Sequence, residues 1–156
     1  GYRAFCNCGY LKEITLPKNL ESIDADAFWN CTDLKLSRSE LPASLKVING
    51  SAFYGCKNID RIVFPVRTGK FLGGSAFGGC TGLNEINVPA GVDTAYREAG
   101  PFVDCSNLKK VTFAKGIDNV PYSIFENCKG LETVEIPDTV KKLSPMPSAA
   151  VQGLQR

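Results

Sequence analysis

Phe28-Trp29-Asn30-Cys31 is one of six copies of a short pattern. The others are Phe5-Cys6-Asn7-Cys8, Phe53-Tyr54-Gly55-Cys56, Phe77-Gly78-Gly79-Cys80, Phe102-Val103-Asp104-Cys105 and Phe125-Glu126-Asn127-Cys128. Successive phenylalanines lie 23, 25, 24, 25 and 23 residues apart. Self-similarity at such a period marks a solenoid, in which a unit too short to bury its own apolar side stacks on copies of itself. The 156 residues therefore predict one elongated domain of about six turns.

Outward from the motif, an apolar residue stands three positions after each cysteine: Leu11, Leu34, Ile59, Leu83, Leu108 and Leu131. Three and five residues further come Ile14/Leu16, Ile62/Phe64, Ile86/Val88, Val111/Phe113 and Val134/Ile136. Apolar residues that alternate about a single residue read as very short strands with two side chains turned inward. Proline follows most of them, at Pro17, Pro42, Pro65, Pro89 and Pro137, with Ala114 the exception, and proline ends a strand because it cannot donate to the ladder. Leu20/Ile23, Leu45/Ile48 and Ile117/Val120 form a second apolar pair on the return leg. An aspartate or serine shortly before Ala-Phe is expected to cap a single helical or 3₁₀ turn. Spacing lengthens over residues 66–74 and 91–100, where surface loops are expected; in solenoids such insertions often fall on the binding face, and neutral drift of loop length accounts for them equally well. The period stops after Leu143, so residues 1–143 are expected to form the solenoid and 144–156 a cap remnant or disordered tail.

The run from Leu11 to Leu34, with Leu11-Lys12-Glu13-Ile14-Thr15-Leu16-Pro17 and then Ala27-Phe28-Trp29-Asn30-Cys31, resembles the BspA-like class of leucine-rich repeats. The match extends over roughly residues 4–143, six times over. It implies an α/β or mainly β solenoid with short parallel strands on a concave side. It also implies a cell-surface or secreted protein engaged in adhesion to host matrix proteins or other cells.

The residues themselves bound the function classes. A net charge of +2 without a basic stripe argues against a nucleic-acid surface, and no apolar run reaches the length of a membrane span. With no histidine in the chain, the usual general base and the Ser-His and Cys-His arrangements are missing, and Val66–Gly74 lacks phosphate-loop spacing. No catalytic residue, cofactor or metal is expected. Seven cysteines invite disulfide, metal or core readings; recurrence at the repeat period favours a reduced, inward-facing column. Cys6 falls outside that column, in the position taken elsewhere by Trp29, Tyr54, Gly78, Val103 and Glu126. This mixed column is expected to face solvent, making Cys6 a candidate exposed thiol and Trp29 with Tyr54 candidate anchors for a partner. On the strand face Arg61, Glu85 and Lys110 should form a row of alternating charge suited to a mixed-charge partner.

A binding module for a protein or glycan is the leading expectation. A structural spacer or an array that self-associates through open solenoid ends is the alternative, followed by an intracellular scaffold.

Overall fold

The fold is described from a computed structural model, in which residues 1–36, 41–64, 70–90, 92–93, 99–120 and 123–143 are placed. The expected tail at 144–156 lies outside the described residues. Among them run eleven short strands: β1 (Glu13–Ile14), β2 (Ser22–Ile23), β3 (Lys35–Leu36), β4 (Val47–Ile48), β5 (Lys70–Leu72), β6 (Glu85–Val88), β7 (Val92–Asp93), β8 (Lys110–Phe113), β9 (Asn119–Val120), β10 (Thr133–Glu135) and β11 (Lys142–Leu143).

The strands stack turn on turn in parallel, as a solenoid requires. The strands after the cysteines form the pair β1-β3 and the sheet β10-β8-β6, with Glu13 opposite Lys35 and Ile86 opposite Val111. The return legs build a second parallel ladder, beyond the apolar pairs that the spacing shows there: β2-β4-β5-β7 and β9-β11. Two of its strands, β5 and β7, fall inside the lengthened stretches expected to be loops. Ile48 is opposite Leu72 there, so the extra residues are accommodated without interrupting the stack.

The turn carrying Phe-x-x-Cys is not helical, and no helix occurs among the described residues. The residues two before the phenylalanine, Arg3, Asp26, Ser51, Ser75 and Ser123, take the left-handed conformation, with φ from 52° to 54°. The residues two after it do the same: Asn7, Asn30, Asp104 and Asn127, joined by Gly55 and Gly79. The aspartates and serines thus serve the backbone bend rather than a helix cap. Asparagine and aspartate are the side chains that best tolerate this region, and glycine enters it without a Cβ penalty. Successive N–H groups then alternate in direction. Ala27, Trp29 and Cys31 donate within their own turn to Asp24, Asp26 and Phe28. Asp26, Phe28 and Asn30 donate to the next turn, to the carbonyls of Gly50, Ala52 and Tyr54, at 3.1, 2.7 and 2.7 Å. Pro101 fits the position before phenylalanine because its carbonyl is what the Phe77 N–H needs, at 2.8 Å.

Inside, the phenylalanines form a continuous pile. Ring centroids from Phe5 through Phe28, Phe53, Phe77 and Phe102 to Phe125 are 5.2, 5.0, 5.1, 5.7 and 5.5 Å apart, with planes inclined by no more than 17°. Phe64 meets Phe77 and Phe102 edge-on. Leu34, Ile59, Leu83 and Leu108 are fully buried beside the pile. Removing each such side chain from water contributes roughly 1.5–3 kcal/mol.

Candidate functional site

The cysteine column does more than fill space. Cys31, Cys56, Cys80, Cys105 and Cys128 are free and buried, and each thiol donates to the carbonyl of the preceding turn's phenylalanine. The S···O distances run from 3.0 Å, for Cys31 to Phe5, to 3.3 Å, for Cys80 to Phe53. The carbonyls of Phe5, Phe28, Phe53 and Phe77 already accept the N–H of the cysteine in their own turn, so at these four the thiol supplies a second donor. Burial raises the thiols of Cys31, Cys56 and Cys80, that of Cys56 to about 12, which keeps them protonated and unreactive at neutral pH. The sequence showed the column but not the donation. Cys8, the first member, is exposed, while Cys6 is half-buried.

The mixed column inside the motif does not simply face solvent. Trp29 and Tyr54 are half-buried and stack on each other at 6.4 Å with planes 12° apart. Tyr54 continues over Gly78, where an added Cβ would lie 2.7 Å from Tyr54 Cδ2, and Val103 beyond is buried. The pile therefore spends ring faces on internal stacking.

The strand face carries the more open feature. Turns one and two are joined by β1-β3 and turns four to six by β6-β8-β10, but among the described residues Ile62–Phe64 of turn three extends neither sheet, Val63 forming an isolated bridge. Among the described residues it is linked to turn two by the Leu41 N–H, which donates to the Val63 carbonyl at 3.1 Å. At this break lies a cleft of ≈ 320 Å³, with Arg61, Ile62 and Phe64 on one side and Glu85, Asn87 and Lys110 on the other. Arg61, Glu85 and Lys110, expected as a charge row, all line it. The row is not paired as a simple alternation, however. Glu85 and Lys110 are opposite one another in register, yet the Lys110 ammonium reaches across to Glu135 at 2.6 Å. That hydrogen bond and the charge behind it hold Lys110 above its ordinary value. Arg61 and Glu85 make no ion pair among the described residues. Asn87 donates through Nδ2 to Thr112 Oγ1 at 2.6 Å, fixing the far wall. The break leaves no mark in the sequence, because Ile62 and Phe64 obey the strand pattern as well as any other turn.

The description "BspA type Leucine rich repeat region" matches residues 1–99 and 32–147, in six copies. Among solved structures, a leucine-rich-repeat protein of T. pallidum is 31% identical with a TM-score of 0.74, over 85% of this chain and 60% of that one. A leucine-rich-repeat protein of Bacteroides ovatus is 28% identical with a TM-score of 0.63, over 92% and 42% of the two chains. A leucine-rich cell surface protein of Faecalibacterium prausnitzii is 27% identical with a TM-score of 0.67, over 80% and 31%. The chain thus spans about a third to three fifths of the length of these proteins. No curated protein matches it.

Proposed function

Because the chain belongs to the BspA-type leucine-rich-repeat family, we propose that it is a non-enzymatic interaction module of a cell-surface or secreted protein, binding a host matrix protein, another cell's surface protein or a glycan. The repeats of this family build binding surfaces, and one of the similar solved proteins is described as a cell surface protein. The observation that carries the reading is the convergence of Arg61, Glu85 and Lys110 on one cleft of the strand face. A cleft with both signs of charge on its walls suits a mixed-charge protein better than nucleic acid or an anionic membrane. Among the described residues no helix is long and apolar enough to cross a membrane.

Surface plasmon resonance of the immobilised chain against a panel of extracellular-matrix proteins and a glycan array tests the reading. Saturable binding of one partner, weakened at least tenfold by combining Arg61→Glu with Glu85→Lys, is expected. Retention of no panel member, or equal binding by the variant, refutes it. Trp29→Ala with Tyr54→Ala is the parallel test of the aromatic pair: unchanged binding removes it from the partner surface.

A further inference from the structure

Each parallel strand directs its N–H and C=O groups alternately to its two neighbours. In β6 the direction is fixed by what β8 takes. The Lys110 N–H donates to the Asn84 carbonyl at 3.2 Å, the Ala114 N–H donates to the Val88 carbonyl at 2.8 Å, and Ile86 lies opposite Val111 between them. Ile86 and Val88 therefore serve β8, and the main-chain groups of Glu85 and Asn87 point to turn three. No backbone hydrogen bond among the described residues joins 60–64 to 84–88. At the equivalent place other turns are joined, by Lys35 to Lys12 at 2.8 Å, Lys109 to Asn84 at 2.8 Å and Glu132 to Lys109 at 2.9 Å. The β6 edge thus opens onto the cleft, whose ≈ 320 Å³ lies within the ligand-pocket range of about 300–1,000 Å³. Ile62 and Ile86, both buried, form its floor.

We propose that this cleft seats an extended peptide segment of a protein partner. The segment pairs through its main chain with the Glu85–Asn87 edge of β6 and places an acidic side chain at Arg61 and a basic one at Glu85. Main-chain pairing at an open edge supplies affinity, and the side chains on alternate positions supply selectivity. An acidic and a basic residue two positions apart share one face of a strand, while the residues between them turn to the floor. Lys110 takes no part, since Glu135 already holds it. The proposal rests on the interaction-module reading and names the partner's chemistry.

The probe is the synthetic peptide acetyl-Thr-Val-Glu-Val-Lys-Val-Thr-amide, titrated into the isotope-labelled chain and followed by NMR. The expected result is saturable binding, with the Glu85 and Asn87 amides, fast in hydrogen exchange beforehand, becoming protected while Ile86 and Val88 are protected throughout. Two further peptides carry N-methyl groups on alternate residues; one of them should bind at least tenfold more weakly. Combining Arg61→Glu with Glu85→Lys should weaken the parent peptide at least tenfold. Absence of peptide binding, equal affinity of the parent and both N-methylated peptides, or displacement at the cleft by a sugar alone overturns the proposal. Capture of a matrix protein without peptide binding refutes strand pairing and leaves the module reading standing. Peptide binding without capture of any panel member does the reverse.

Discussion

Replacing Phe77 by alanine should divide the stack in two. Phe77 is fully buried, lies 5.1 Å from Phe53 and 5.7 Å from Phe102 in the pile, and receives the edge of Phe64 at 6.1 Å. Truncating a buried phenylalanine costs about 3–5 kcal/mol, and each aromatic pair contributes about 0.5–1.5 kcal/mol beyond its area. With two stacked partners and one edge-on partner, the expected loss lies towards 5 kcal/mol, a large part of the roughly 5–15 kcal/mol that stabilises an ordinary domain. Its location adds a second effect. Turns three and four lack the strand-face ladder, so the return-leg strands, the Phe-x-x-Cys backbone bonds and side-chain packing carry that junction. Weakening the packing there should let turns one to three and four to six unfold separately, since each repeat is held by its neighbours. Trp29 is the single tryptophan and sits in turn two, so its fluorescence reports the first half, whereas far-UV circular dichroism reports the whole chain. In urea the two signals should coincide for the parent and separate for Phe77→Ala, with a lower apparent m-value. Phe5→Ala, at a ring that is 40% exposed with one stacked neighbour, should cost far less and leave the signals coincident. Coincident transitions in Phe77→Ala with a loss below about 1 kcal/mol would refute both the energetic and the seam argument.

Thiol labelling of the folded chain should count two reactive cysteines, Cys6 and Cys8, against seven in denaturant; a third in the folded state contradicts the buried column. Stability should be level up to about pH 8 and fall above pH 9. The folded chain keeps protons on Cys31, Cys56 and Cys80 that the unfolded chain releases from its ordinary value of 9.0, so the contribution is full below that value and lost as pH rises towards about 12 at Cys56. Urea midpoints across this range test it, and Cys56→Ala should flatten the decline. Gly78→Ala forces the Tyr54 ring aside and should cost about 1–3 kcal/mol with a change in near-UV circular dichroism, whereas an unchanged spectrum would place the ring elsewhere.

Much of the fold was legible because stacking turns periodicity into position: the phenylalanine, cysteine and leucine columns follow from spacing alone. What could not be read depends on backbone direction. Ser22-Ile23 and Val47-Ile48 are too short to announce a second ladder, and it is the identical conformation of neighbouring turns that pairs them. Asp26 and Ser51 looked like caps because those residues favour both helix starts and left-handed bends, and the next turn's carbonyls select the bend. Of the candidate site, Arg61, Glu85 and Lys110 were visible as a row. Their convergence was not, since it depends on Ile62–Phe64 failing to join β6, a departure invisible in a sequence that keeps the pattern. The repeat spacing puts Trp29 and Tyr54 on adjacent turns, but Gly78, whose missing side chain admits the tyrosine ring, decides how far they protrude.

The alternation of N–H groups along Phe-x-x-Cys bears on how such a chain lengthens. Contacts between turns at this corner pass from amide to carbonyl and from thiol to carbonyl, groups that every copy carries regardless of the variable residue between phenylalanine and cysteine. A duplicated turn inserted between two others meets the same acceptors above and the same donors below. Gain or loss of whole units therefore requires no compensating change in the flanking copies, while a cut within a unit leaves both halves without partners. Arrays of different length can arise by unequal recombination in register, and selection is left free to act on the outward positions of each copy.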